Sequence, residues 1–381
     1  MKKIMLVMVS IFLLLIVLNQ KEEKKEEELR GVFISYIELS EQLKGKKEEI
    51  AKKNIDQMIQ NIHDLKLNTI ILQVRANADA MYFSNIYPFS LHVSEREGEK
   101  TFDILEYFLK KCQEKDLSLI AWINPYRIRT TSDTSTITNQ SPAYQYLNTD
   151  TIYIQNGIYW NPSKPEVEDL IIEGVKEVLS YKIDGLIFDD YFYPNEDIDQ
   201  RDYETYQKSN PNITKKEYHL KIVNQLIEKI HKRCQEKGIP FGVSPDGNIE
   251  NNYEKHDADV KKWIEDQSVD FLIPQIYYGF YHSTQGYVKV AEQWNDLLKS
   301  KDMPLYVALA FYKVGKEDTY AKEGAKEWLE NDDIIMREIL LSRNLDHYQG
   351  FVLFRYDHLF SEDMYTSKSR LELKNMKKML K

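Results

Sequence analysis

Cysteine is scarce: Cys112 and Cys234 are the only two in 381 residues. They fall in separate predicted helices and form no CxxC or Cys/His pattern, which excludes a disulfide framework. Both are expected to be buried thiols. Positive charge is short as well. The formal net charge is -10, whereas a nucleic-acid binder carries a basic patch or stripe, so no nucleic-acid partner is expected. The eight histidines are scattered, and none falls at a predicted inward strand end, which leaves a metal-dependent deacetylase without its ligand set. The first predicted strand runs into SYIELSEQ at 35–42 rather than a glycine-rich phosphate turn. No nucleotide cofactor is expected.

What remains is the composition of a folded, sizeable chain, 42% hydrophobic and 29% charged, with 26 tyrosines. Met1-Lys2-Lys3 precedes an uncharged run, Ile4–Leu18. That reads as a signal peptide or a membrane anchor, near the short limit for a spanning helix. The sequence therefore divides into an export segment at 1–20, a charged linker at 21–29 and a domain at 30–381. An uncleaved segment brings membrane contact.

From Arg30 onward the pattern alternates. Short apolar runs at Gly31–Ile37, Thr69–Arg75, Leu117–Asn124, Gly185–Asp189, Pro240–Pro245, Phe271–Tyr277, Leu305–Phe311 and Gly350–Arg355 predict strands. Amphipathic segments between and after them predict helices near Glu48–Leu65, Phe102–Lys115, Pro165–Tyr181, Lys215–Lys237, Ala258–Asp266, Tyr287–Lys299, Asp332–Arg343 and Ser367–Leu380. Alternation on this scale predicts a (β/α)8 TIM barrel, ahead of an open doubly wound sheet, with long loops after strands three and four. Loops of that length in a compact domain usually carry function.

Polar residues gather at the predicted strand ends, where barrel enzymes keep their chemistry. Period-two alternation places Ile71, Gln73 and Arg75 toward the barrel axis, leading to Asn77 and Asp79 at the rim. Strand three brings Trp122, Asn124, Tyr126 and Arg127. Strand five brings Asp246, strand six Gln275 and Tyr277, and strand eight Arg355 and Asp357. The fourth, IDGLIFDDYFYP at 183–194, is the most informative. Gly185, Ile187 and Asp189 share the inward face, while Asp190 points sideways or over the rim. Asp189 is thus expected to do acid or nucleophile chemistry, with Asp190, Tyr191 and Tyr193 shaping the cleft. An internal salt bridge for Arg75 and a core position for Trp122 are the structural alternatives.

The motifs RGVFIS (30–35), QVRANADAMY (73–82), AWINPYR (121–127), NPSKPEV (161–167), DGLIFDDYFYP (184–194), GVSPDG (242–247) and PQIYY (274–278) together resemble the glycosyl hydrolase-like 10 family of secreted bacterial barrels. The resemblance implies hydrolysis of glycosidic bonds, with bacterial cell-wall glycan as substrate. It makes Asp189 and Asp190 the catalytic residues and adds Asn161 to the substrate-binding set. Phe33, Ala76 and Asp246 depart from the family's usual Trp, Pro and Phe. Two flanking carboxyl groups normally serve glycoside hydrolysis. The second is open among Asp246, Asp357 and Glu38, since strand seven ends ALAFYK without an acid. Strand four also looks like that of family-18 chitinases, whose substrate supplies its own acetamido nucleophile, although Tyr191 stands where their glutamate would be. A non-catalytic glycan-binding barrel is the competing reading.

Overall fold

The computed structural model describes residues 27–380. The expected export segment and most of the charged linker lie outside the described residues. Eight parallel strands close into a barrel in sequence order. They are β1 (Leu29–Ile34), β2 (Thr69–Arg75), β3 (Ser118–Ile123), β4 (Gly185–Phe188), β5 (Phe241–Val243), β6 (Phe271–Leu272), β7 (Leu305–Leu309) and β8 (Tyr348–Leu353). The helices that bear on the site and its frame are α1 (Tyr36–Leu43), α2 (Pro165–Val178), α3 (Ile249–His256), α4 (Ile334–Ser342) and α5 (Ser367–Met379). No helix among the described residues is long and apolar enough to cross a membrane.

Alternation sorts the strand residues into two layers. Phe33, Ile71, Ile120, Trp122, Ile187 and Phe271 pack along the axis, while Leu186, Phe188, Ile70 and Leu72 pack under the helices. Phe271 fits only because its neighbour is Gly242, where a Cβ would lie 2.3 Å from the ring. Both cysteines are buried and free.

Three local features depart from the sequence expectation. The first strand ends at Ile34 rather than Ile37, because Ser35 and Glu38 form a capping box that starts α1. The segment after β3 carries a three-stranded antiparallel sheet, with Ile158–Trp160 between Arg127–Arg129 and Ile152–Ile154. The third departure redirects a side chain. On β2, Gln73 pairs with Trp122 and Arg75 with Ile123, so Val74 is an extra residue. Such a bulge reverses the facing of whatever follows it. Arg75 therefore leaves the barrel axis and enters the helix layer, where its guanidinium lies 4.1 Å from the Tyr87 ring centroid.

Candidate active site

The strand C-termini enclose a cleft of about 290 Å³. Phe33, Trp122, Ile187 and Phe354 contribute its apolar surfaces, and Gln73, Arg127, Asp189, Asp190, Gln275 and Arg355 its polar ones. Asp189 is 4% exposed. Its Oδ2 accepts from Trp122 Nε1 at 3.0 Å and from Asn124 Nδ2 at 3.1 Å. Its Oδ1 has only longer contacts, from Asn124 Nδ2 and the Tyr191 amide, both at 3.3 Å. Asn124 is itself oriented by the Arg127 amide, which donates to its Oδ1 at 3.1 Å. Burial, then the charge of Asp190, pushes the Asp189 carboxyl up to about 7, against the pull of Arg127 and the hydrogen bonds. A proton on Asp189 thus belongs on the loosely held Oδ1.

Asp190 lines the same cleft. The expectation that alternation would turn it aside fails because β4 ends at Phe188, so the pleat does not govern the two aspartates. Gln275 Nε2 donates to Asp190 Oδ1 at 3.1 Å and to the Ser244 carbonyl at 3.0 Å. Burial raises the Asp190 carboxyl too, while His256 and Gln275 draw it back toward ionisation. Arg127 is fixed by its Nε, which donates to the Ala76 carbonyl at 3.1 Å. Its guanidinium lies 5.8 Å from the ring centroids of both Tyr36 and Tyr191.

Of the residues singled out from the sequence, Asp189, Asp190, Trp122, Arg127, Tyr191, Gln275, Tyr277 and Arg355 meet at this cleft. Asn124 stands behind it as a donor to Asp189. The others are elsewhere. Arg75 is turned away by the bulge, and its Nη2 donates to Tyr87 Oη at 3.1 Å. Asn77 is buried against His92, 2.8 Å away. Tyr126 packs in the outer core. Asn161 Nδ2 donates to the Asp150 carbonyl and to Asp202, which ties the β3 segment to the segment after β4. Tyr193 stacks on His219 at 4.0 Å and donates to Asp199, pinning the β4 loop. Asp246 sits in the turn after β5, where it accepts from the Asn248 amide at 2.7 Å.

The candidate partner acids are likewise engaged. Arg355 forms ion pairs with Glu38 Oε1 at 2.9 Å and Asp357 Oδ2 at 2.8 Å, so it stands between the cleft and both carboxylates. Burial raises Glu38 to about 7, with Arg355 opposing. Among the described lining residues, Asp189 and Asp190 are the carboxylates that face the cleft. Sequence reasoning missed Ser35, Tyr36 and Ile37, which reach the rim only because the capping box turns the chain there.

Comparison with known proteins follows the same lines. The family model described as Glycosyl hydrolase-like 10 matches residues 28–328. Glycosyl hydrolase DigH of Escherichia coli K12 is 30% identical over 331 residues, covering 79% of this chain and 74% of the relative. Glycosyl hydrolase YngK of Bacillus subtilis is 28% identical over 355 residues, covering 86% and 68%. The glycoside hydrolase domain of PgaB (BpsB) from Bordetella bronchiseptica shares the fold at a TM-score of 0.54 and 12% identity, covering 93% of this chain and 98% of that domain.

Proposed function

This chain belongs to the glycosyl hydrolase-like 10 family, and from that premise we propose that it hydrolyses an N-acetylated, peptidoglycan-type glycan of the bacterial cell wall. One observation carries the reading. The two carboxyl groups that face the cleft are sequence neighbours at one strand end, and the acids across the barrel are paired with Arg355, which stands between them and the cleft. Inverting and retaining hydrolases set carboxyl groups on both sides of the bond, at about 6.5–9.5 Å or 5–5.5 Å. A site with its acids on one side fits a substrate that brings its own nucleophile.

In this mechanism Asp189 Oδ1 gives its proton to the leaving glycosidic oxygen. The acetamido carbonyl oxygen of the sugar attacks C1 as that bond breaks. Ionised Asp190 accepts the acetamido N–H and offsets the positive charge that develops. Water then opens the cyclic intermediate at C1, returning its proton to Asp189. Trp122 and Phe33 offer apolar surface to the sugar faces, and Arg127, Gln275 and Arg355 offer donors to its oxygens.

Release of reducing ends tests this, with intact, peptide-stripped and de-N-acetylated cell-wall glycan as substrates. Wild type is expected to cut the acetylated glycans and spare the deacetylated one, and Asp189→Asn and Asp190→Asn to cut neither. Binding without cleavage by wild type would identify a glycan-binding barrel instead. Export rests on the uncharged run Ile4–Leu18 and is checked by fractionating cells with a tag at the C-terminus.

A further inference from the structure

The turn and helix after β5 build a second layer behind Asp190. Helix α3 follows the strand almost at once, capped by Asn248. Asn252, fully buried, staples the helix to the turn. It accepts from the Asp246 amide at 2.9 Å and donates to the Asp246 carbonyl at 2.8 Å. Residues four apart share a helix face, so His256 projects on the side that Asn252 occupies. Its Nε2 reaches Asp246 Oδ2 at 3.4 Å. The same Asp246 pairs with Gln275 as an isolated bridge, and Gln275 donates to Asp190. These contacts link the imidazole at the end of α3, through Asp246 and Gln275, to Asp190. A helix C-terminus favours a cation.

We propose that His256, held by Asp246, is a positioning residue for the glycoside hydrolysis inferred above, supplying the positive counter-charge for Asp190. The charged groups around it come from three elements: Asp246 after β5, Asp190 after β4 and Lys255 on α3. The two acids favour the imidazolium and the lysine opposes it. On Asp190 the effects of His256 and Asp246 are opposite, and Asp189 is the remaining acidic neighbour. Two adjacent carboxyl groups share protons poorly unless something distinguishes them. His256 makes that distinction, because it favours the ionised form of Asp190 and not that of Asp189. Nothing in the strand pattern marks this histidine. The cue in the sequence is the spacing of Asn252 and His256 after GVSPDG.

The test compares wild type with His256→Gln, which keeps a donor for Asp246 but not the charge, and His256→Lys, which restores charge. The Asp190 carboxyl is titrated by 13C NMR, assigned with Asp190→Asn, and pH profiles of glycan cleavage are recorded beside it. In His256→Gln the Asp190 titration and the acid limb of kcat/KM should move up by about 0.5–1 pH unit. His256→Lys should move both back. The difference from wild type should vanish at a pH high enough to neutralise His256. An unmoved Asp190 titration in a His256→Gln protein of unchanged melting temperature overturns the proposal. A shifted titration in a protein that cleaves no glycan leaves the counter-charge of His256 on Asp190 standing and removes the hydrolase reading on which its positioning role rests.

Discussion

Asp189 has donors on both oxygens, yet they do not hold them equally, and that asymmetry predicts how the enzyme responds to pH. Burial raises its carboxyl to about 7, so the proton donor is present below that value and lost above it. With Asp190 needed ionised, kcat/KM should trace a bell whose basic limb falls near pH 7. Asp189→Asn removes the proton and should cost about 10²–10⁴-fold in kcat. Trp122→Phe is subtler. The indole N–H stabilises the ionised carboxylate, so its loss should raise the Asp189 pKa and move the basic limb to higher pH. A pH–rate series on both variants checks the two limbs. That Asp189 would stand at the cleft was legible in the sequence, because it directly follows the short apolar run of β4, Gly185–Phe188. The partners of Trp122 and Asn124 were not. Both looked like ligand contacts, and both bond Asp189, because the register of β3 on β4, with Trp122 opposite Ile187 and Ile123 opposite Phe188, sets Trp122 one inward step below it and brings Asn124 level with it.

The β2 bulge shows how one extra residue in a strand rewrites an element. Arg75 now packs against α2, where a Cβ on Gly174 would lie 2.2 Å from its Nη1 and 2.6 Å from the Tyr87 ring. A glycine in a helix interior ordinarily gains roughly 0.5–1 kcal/mol on replacement by alanine. Gly174→Ala should instead lower the thermal midpoint, by calorimetry, while the KM of the remaining folded enzyme stays put. Alternation cannot foresee a bulge, since Val74 fits either face until β3 pairs with it. The C-terminal helix poses a different problem. Glu338 on α4 and Glu372 on α5 are both 0% exposed, and neither Glu338 oxygen has a hydrogen-bond partner. Burial raises both, Glu372 to about 7 and Glu338 well above its usual value. A raised folded pKa contributes stability that is complete below the unfolded value and lost as pH rises through the folded one. The docking of α5 should therefore weaken toward pH 8. Glu338→Gln should raise the midpoint at pH 8 and flatten its pH dependence, on the order of 1–3 kcal/mol.

At the scale of the whole molecule, a barrel must bring its first and last strands together, the contact for which chain closure costs most. The architecture was legible because each strand is a short apolar run set between amphipathic helices. The device that clasps the seam was hidden in the charged linker. Glu28, just before β1, accepts from Arg343 Nε and Nη2 at 2.8 Å each. It also accepts from Tyr348 Oη and from Arg30 Nε, both at 2.9 Å. The Arg343 contact spans 315 positions of sequence. Burial alone would raise the Glu28 carboxyl, but Arg343, Tyr348 and Arg30 outweigh it and hold it below its ordinary value. The sign is opposite to that of Glu338 and Glu372. Stability from Glu28 is present above the unfolded pKa and lost as pH falls through the folded one. Glu28→Ala leaves Arg343 and Tyr348 without their shared acceptor, and at pH 7 it should lower the thermal midpoint by about 2–4 °C per kcal/mol lost. That deficit should shrink as the pH drops below 4.5, the unperturbed value of the carboxyl. Calorimetry from pH 3 to 8 should accordingly find the wild-type midpoint highest at mildly acid pH. Its acid flank should be flattened by Glu28→Ala and its alkaline flank by Glu338→Gln. A deficit in Glu28→Ala that persists undiminished at pH 3 would show that the clasp acts through packing rather than through charge.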